Sequence, residues 1–242
     1  MLRVGTSGWV YDHWKGTFYP EDVSGDDMLP FFAQHFDTVE INNTFYNLPS
    51  EKAVENWRDL APEGFLFAVK ASRYITHMKN LLEPEEPLGT FLTRVGLLED
   101  KLGPILFQLP PHWNVNVDRL RDFSRHLPEQ HHYTFEFRDP SWYSDEVFAL
   151  LEDRGYALCL HDDPDAPAPE RLTADWTYVR FHGRRKGHDA KYSEDEMSEW
   201  AGKVTTWTDE GLDVYCYFNN DVEGYALENA RQLIEMAGGT RA

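Results

Sequence analysis

Charged and amide side chains recur near the ends of several short apolar runs of this sequence. In TFEFRDPSW (134–142), polar and apolar residues alternate, so Glu136 and Arg138 fall on the same face of a predicted strand. A carboxylate can transfer protons, and Arg and Lys donors can hold a carboxylate or phosphate group. If this face is enclosed instead of exposed to water, the pattern predicts a reactive or anion-binding site.

Eight such runs, separated mainly by amphipathic stretches, predict the elements that would position these side chains. The runs end near Thr6, Ile41, Lys70, Leu109, Phe137, Leu160, His182 and Asn219. Helices are predicted at 27–35, 51–60, 88–101, 117–127, 145–154, 194–210 and 223–236, and the proline-rich segment 162–175 is predicted as a loop. The alternation predicts an α/β fold, a closed parallel (β/α)8 barrel of the TIM type, as a single domain spanning residues 1–242. An open dinucleotide-binding sheet has little support, because the sequence contains neither a G-x-G-x-x-G nor a Walker-type motif.

In such a barrel, one face of each strand packs against helices and the other faces the interior, whose C-terminal end carries active sites. The alternation places these polar residues inward: Glu40, Asn42, Lys70, Gln108, Glu136, Arg138, Arg180, His182 and Asn219. For each residue alone, a structural ion pair or a strand-end hydrogen bond explains the polarity as well as chemistry does. Matching positions on five or six strands favour a shared pocket, because unpaired charges are costly inside a barrel.

Three further groups support weaker functional hypotheses. His161 and Asp162 end the sixth strand and could bind a metal with His182, although the nearby Lys and Arg side chains argue against a bare divalent ion. The loop GRRKGHDAKY (183–192) could bind an anion or form a solvated lid. Trp9 could line a pocket wall or pack beneath the long loop after the first strand.

The composition limits the classes of partner. The formal net charge of −19 and a pI near 4.8 disfavour non-specific binding to nucleic acids or anionic membranes. The spread of acidic residues would also suit a salt-rich cytoplasm, in which nucleic-acid enzymes can be acidic too, so a nucleic-acid partner stays open. The oligomeric state is not indicated.

The lengths of the apolar runs, the N-terminal segment and the two cysteines predict a cytoplasmic protein without a membrane partner. The sequence has no apolar run of about 18 residues or more, and MLRVGTSGWV lacks the regions of a signal peptide. Cys159 and Cys216 lie in apolar stretches on the sixth and eighth predicted strands. Because these strands are not neighbours in a barrel, we expect two buried, reduced thiols and no disulfide.

Seven motifs, in this order along the chain, resemble the YecE-like family, also called domain of unknown function 72. They are GTSGWVYDHWKGTFYP, VEINNTFYNLPS, FAVKASRYITH, LGPILFQLPP, FEFRDPSW, RFHG and YCYFNND. The resemblance covers nearly the whole chain and implies a TIM-type barrel without a known reaction. Carried over by motif, the family's polar set falls on Trp9, Glu40, Asn42, Phe45, Tyr46, Lys70, Gln108, Glu136, Arg138, Arg180, His182 and Asn219. The family's Gly-rich loop ending in Tyr matches GRRKGHDAKY less closely, with Tyr192 as the corresponding Tyr.

Together, the residues predict an enzyme for a small anionic, sugar-like substrate that is phosphorylated or carboxylated. Lys70, Arg138 and Arg180 would hold the anion. Glu40 or Glu136 would move a proton, with His182 as the counterpart. The predicted binding set is completed by Trp9, Asn42, Tyr46, Gln108, Tyr192 and Asn219. No cofactor is predicted, and isomerisation, lyase chemistry and hydrolysis are not distinguished.

Lys70 is expected to pair with Glu40 or Glu136, and a Schiff base at Lys70 is the alternative role for its amine. Three cations beside two carboxylates would leave the site with an excess of positive charge. Two other functions stay open at this point. One is a nucleic-acid-processing barrel like endonuclease IV, which depends on a metal cluster, and the other is a barrel that binds a small molecule without catalysis.

Overall fold

Eight parallel strands form the centre of the computed structural model, which describes residues 1–163, 167–183 and 191–238. They are β1 (Leu2–Thr6), β2 (Thr38–Ile41), β3 (Leu66–Lys70), β4 (Leu102–Gln108), β5 (Tyr133–Glu136), β6 (Ala157–His161), β7 (Trp176–Phe181) and β8 (Asp213–Phe218). Their hydrogen-bonded order is β1-β8-β7-β6-β5-β4-β3-β2. The predicted barrel is confirmed, and every strand ends within one residue of its predicted end.

The seam between β1 and β2 brings the two ends of the sheet together. Ser7 forms a parallel bridge with Glu40, and the Gly8 N–H donates to the Glu40 carbonyl oxygen at 2.8 Å. Gly5 permits this approach, because a Cβ atom there would lie 2.2 Å from the Thr38 carbonyl oxygen. The seam therefore depends on the absence of a side chain at one position of β1.

Helices surround the strands. They are α1 (Gly25–Phe32), α2 (Asn43–Tyr46), α3 (Glu51–Leu60), α4 (Glu85–Val95), α5 (Val117–Ser124), α6 (Asp145–Arg154), α7 (Glu194–Asp209) and α8 (Tyr225–Met236). The predicted helices differ mainly at their ends; α4 stops early because the chain tightens into the 3-10 turns Gly96–Lys101, where Glu99 has a positive φ of 56°. The short α2 and a π-helical turn, Tyr74–Met78, follow β2 and β3 and are not predicted from the sequence. The described part of 162–175 contains no helix, as expected.

The side chains on the two faces of the strands form two separate buried clusters. Val39, Phe135 and Val179 belong to the outer apolar layer, which includes residues of the helices, whereas Tyr178 and Tyr217 belong to a smaller inner cluster. The Tyr217 hydroxyl lies 2.6 Å from that of Thr38, so contacts span the interior between β8 and β2. This confirms the predicted direction of the strand side chains.

Both cysteines are buried and free, as predicted. Cys159 belongs to the inner cluster and Cys216 to the outer layer. Burial raises the pKa of both thiols, which keeps them in the unreactive thiol form. None of the described helices has the length and apolar character that a membrane crossing requires.

Candidate active site

Arg180 on β7 is the centre of a buried ion-pair network, and only 1% of its surface is exposed. Its Nε and Nη2 donate to the two carboxylate oxygens of Glu40 on β2, at 2.8 and 2.9 Å. Its Nη1 donates to Oε2 of Glu136 on β5, at 2.7 Å. These three strands are not neighbours, so the side chains meet across the barrel interior as the alternation predicts.

Glu40 has all its acceptor positions in use. Besides Arg180, it accepts hydrogen bonds from Ser7 Oγ at 2.7 Å, from Asn42 Nδ2 at 2.9 Å and from the Tyr178 hydroxyl at 2.8 Å. Burial by itself raises the pKa of Glu40, but the Arg180 charge and the hydrogen bonds from Arg180 and Ser7 hold that pKa below its usual value. Glu40 is therefore an ionised anchor for Arg180.

Arg138 links a second carboxylate to the predicted histidine. It donates to Glu136 and to Asp163, and its Nη2 lies 2.8 Å from Nε2 of His182. Despite complete burial of Glu136, the Arg138 and Arg180 charges hold its pKa well below the usual value. Because arginine can only donate, His182 Nε2 must carry a lone pair. Burial lowers the pKa of His182 to about 3, so the ring is neutral, with the Asn219 amide 3.3 Å from its Nδ1.

Asp163 changes the charge balance that the sequence predicts. With Glu40 and Glu136 it makes three carboxylates beside three cations among the described residues, so the excess of positive charge predicted for these side chains is wrong. Asp163 lies two residues beyond β6, in a loop where strand alternation gives no direction. The acidic pair at the end of the sixth predicted strand is the signal that could have identified it.

Lys70 at the end of β3 is the exception among the three cations. Its Nζ lies 4.2 Å from the centre of the Phe45 ring, and no carboxylate oxygen of the described residues is within 4.0 Å. The predicted ion pair with Glu40 or Glu136 is wrong, because the two arginines already occupy both carboxylates. Burial and the nearby Arg180 charge lower the pKa of Lys70 to about 8. This amine is the least committed charged group of the site.

His77, in the π-helical turn after β3, is a neighbour that the sequence analysis missed. Its ring centre lies 5.0 Å from that of Phe45, and its Nδ1 lies 2.8 Å from Thr76 Oγ1. Burial, and then the charge of Lys70, lower the pKa of His77 to about 4. Its place in the motif FAVKASRYITH was the available signal.

An open cavity of about 710 Å³ lies above the ion-pair network at the C-terminal end of the strands. Its described lining is Tyr46, Lys70, Gln108, Pro111, His112, Arg138, Asp139, Pro140, Asp163, Arg180, His182 and Asn219. The predicted set thus supplies seven of these residues, and the volume falls within the range of about 300–1,000 Å³ for small-molecule sites.

Three residues of the predicted binding set do not line this cavity. Trp9 packs edge-on against Trp57 and Phe67 in the outer apolar layer. Asn42 donates to Glu40 below the cavity. The Tyr192 hydroxyl donates to the carboxylate of Asp162, and it accepts from the Gly183 N–H at 2.8 Å.

The proposed metal ligands also have other partners. His161 Nε2 lies 3.1 Å from the Phe137 carbonyl oxygen, and Asp162 accepts from the backbone N–H of His182 at 2.9 Å and from Tyr192. Within 1–163, 167–183 and 191–238, no three or more His, Cys, Asp or Glu side chains are grouped as metal ligands. Residues 184–190 of the predicted anion-binding loop lie outside the described residues.

Comparison with known sequences decides the family. Residues 3–242 match the family described as "Protein of unknown function DUF72". The chain belongs to the DUF72 family. UPF0759 protein YunF of Bacillus subtilis is 28% identical to this DUF72 chain over 98% of it and 94% of YunF. UPF0759 protein YecE of Escherichia coli is 26% identical over 86% of the chain and 82% of YecE.

A solved DUF72 structure has the same fold. The crystal structure of a DUF72 family protein from Thermotoga maritima superposes with a TM-score of 0.89 at 29% identity, covering 98% of this chain and 99% of that one. The family resemblance deduced from the seven motifs is therefore confirmed.

Proposed function

We propose that this DUF72 protein is an enzyme that acts on a small anionic, sugar-like molecule at the barrel mouth by general acid–base chemistry. The observation that carries the proposal is the environment of the Lys70 amine. Its amine faces the cavity without a described carboxylate in ion-pair range, while Arg138 and Arg180 are engaged with carboxylates. A phosphorylated or carboxylated sugar would supply the missing negative charge.

Lys70 also has the pKa that proton transfer requires. At about 8, that pKa is close to neutral pH, so both the ammonium and the neutral amine are populated during turnover. Glu40 and Glu136 have lowered pKa values and are held by arginines, which makes them weak bases. In this proposal, the two carboxylates fix the arginines and offset their charge, and Lys70 moves the proton.

The other cavity residues suit a polyhydroxylated molecule. Gln108 and Asn219 contribute amides, which can both donate to and accept from hydroxyl groups. The guanidinium of Arg138 is partly exposed and offers a second contact to the anionic group. Tyr46 is 67% exposed at the rim, where its ring can cover the apolar face of a sugar.

Solvent exchange tests the proposal for reactions that move a proton to or from carbon, as isomerisation and many lyase reactions do. The purified protein is incubated in D2O with a panel of sugar phosphates and sugar acids, and deuterium uptake next to the carbonyl carbon is followed by NMR. We expect uptake with at least one compound, and a loss of about 10²–10⁴-fold in Lys70→Met, the usual contribution of a general acid or base.

The matched control is Lys52→Met, because Lys52 is exposed on α3 and lies outside the described cavity lining. This variant should exchange deuterium at the wild-type rate. The proposal is abandoned if no compound exchanges, or if Lys70→Met exchanges as fast as the wild type.

A further inference from the structure

We infer that Lys70 is a nucleophile whose Nζ forms a covalent imine with the aldehyde or ketone carbon of an anionic substrate. This inference rests on the proposed function and names its substrate class more closely. The substrate must carry both a reactive carbonyl group, such as that of a 2-oxo acid or an open-chain sugar phosphate, and a negative charge.

Access of the amine to a ligand is the first argument. Nζ lies against the Phe45 ring, Lys70 belongs to the described lining of the cavity, and no described carboxylate pairs with its amine. A lysine locked into an ion pair would have to break that pair before it could attack a carbonyl carbon. Here, Arg180 occupies Glu40 with two hydrogen bonds and shares Glu136 with Arg138, so this competition is absent.

The supply of neutral amine is the second argument. Only the unprotonated amine attacks a carbonyl carbon, and desolvation together with neighbouring cations favours that form. Burial acts first on Lys70 and the positive charges of Arg180 and Arg138 add to it, so its pKa falls to about 8. An ordinary lysine with a pKa near 10.4 would be almost fully protonated at neutral pH.

The charge balance of the site is preserved by the reaction. The neutral amine forms a C–N bond, the carbonyl π electrons pass to oxygen, and that oxygen leaves as water after two proton transfers. Overall, an ammonium and a carbonyl compound give a protonated imine and water, without an oxidant or reductant. The positive charge stays on Nζ, so in the described part of the site three carboxylates still face three cations.

An imine would account for the same proton exchange through a different role of Lys70, because its nitrogen then acts as an electron sink and not as the base. The protonated nitrogen withdraws electrons from the adjacent carbon, which acidifies its C–H bond and stabilises the carbanion that forms. Arg138 and the Asn219 amide, both in the described cavity lining, are placed to contact the anionic group while the carbonyl carbon meets Nζ. The aromatic wall of Phe45 shields one side of the nitrogen from water and slows hydrolysis.

Reductive trapping tests the inference directly. The full-length protein is treated with glyoxylate and cyanoborohydride, and peptide mass mapping measures labelling at each of its eight lysines. We expect Lys70 to be labelled at least about tenfold faster than exposed Lys52, since neutral amine is the reactive species. The Lys70 rate should rise with pH and level off above about 8.

Two variants separate the imine from simple anion binding. Lys70→Arg keeps a positive charge but cannot form an imine, so it should bind glyoxylate in a calorimeter within about tenfold of the wild type and show no label at position 70. Lys70→Met should lose both properties. Glyoxylate binding by the wild type without preferential Lys70 labelling would overturn the imine and leave the proposed function standing. Absence of both binding and labelling would also overturn the imine, and the deuterium-exchange experiment then decides the proposed function separately.

Discussion

At the scale of single residues, the three cations of the site have different tasks because of their different partners. Arg180 is buried against two carboxylates, and its planar guanidinium donates to Glu40 through two parallel hydrogen bonds. Lys70 has an aromatic ring for a neighbour and no described carboxylate within 4.0 Å. Arg180 therefore stabilises the fold, whereas Lys70 costs stability in its charged form.

Substitution of Arg180 and of Lys70 by Met should change stability in opposite directions. Arg180→Met leaves Glu40 and Glu136 without their shared partner in the interior, and we expect a loss of about 3–5 kcal/mol in the free energy of unfolding. Lys70→Met removes a charge whose folded pKa is lowered from 10.5 to about 8, so we expect a gain of about 1–3 kcal/mol at pH 7. Urea unfolding measures both.

The sign for Lys70 follows from proton binding. Between pH 8 and 10.5 the unfolded chain binds more protons at this residue than the folded chain, so wild-type stability rises with pH in that window. Below pH 8 the full cost of the buried ammonium is present, and the difference between Lys70→Met and the wild type should be greatest there. A variant that is less stable than the wild type at pH 7 would contradict this account.

At the scale of elements, the seam between β1 and β2 closes the barrel and places Glu40 at the site. The seam depends on Gly5, and two residues just beyond it, Ser7 and Gly8, contact Glu40 through a side chain and through the backbone. A disturbance of β1 should therefore spread to the ion-pair network. The backbone contact between β1 and β2 thus determines the position of the charged Glu40 side chain.

Gly5→Ala tests this link. The added Cβ would meet the Thr38 carbonyl oxygen at 2.2 Å, so β1 and β2 must separate, and we expect a loss of at least about 1–3 kcal/mol on urea unfolding. Gly202→Ala is the control, since nothing lies within 4 Å of its added Cβ and the residue is inside α7. It should raise stability by up to about 1 kcal/mol. Equal effects of the two substitutions would show that the seam is not sterically constrained.

At the scale of the whole molecule, the charge is far from neutral although the buried ion-pair network of described residues is balanced. The formal net charge is −19, and many surface carboxylates, such as Asp12, Asp118 and Asp145, are fully or almost fully exposed. Like charges at this density repel one another and destabilise the compact state. The buried pairs around Arg180 are much less accessible to screening ions.

Salt should therefore stabilise the protein through its surface. We expect the melting temperature to rise between about 0.1 M and about 1 M KCl, because the Debye length shortens from about 10 Å to about 3 Å and screens the repulsion. Sucrose at matched osmolality provides a control for exclusion effects that do not involve charge. If the two solutes act equally, the hypothesis of a salt-adapted acidic surface is rejected.

The sequence by itself determined the barrel, the strand ends and the direction of the polar side chains. Strand alternation has a fixed period of two, so Glu40, Glu136 and Arg180 had to face the interior once the apolar partners Val39, Phe135 and Val179 faced the helices. Closure of eight parallel strands then brings their C-terminal ends together. Family motifs pointed to the same residues.

Only the tertiary structure decided which charged groups are partners. Alternation gives the direction of a side chain but not its distance from groups on other strands, and several donors compete for each carboxylate. The two arginines, with forked donors, occupy Glu40 and Glu136, and the amine of Lys70 is left beside Phe45. Asp163 reaches Arg138 from a loop, where no strand period applies, so its role depends on the path of the folded chain.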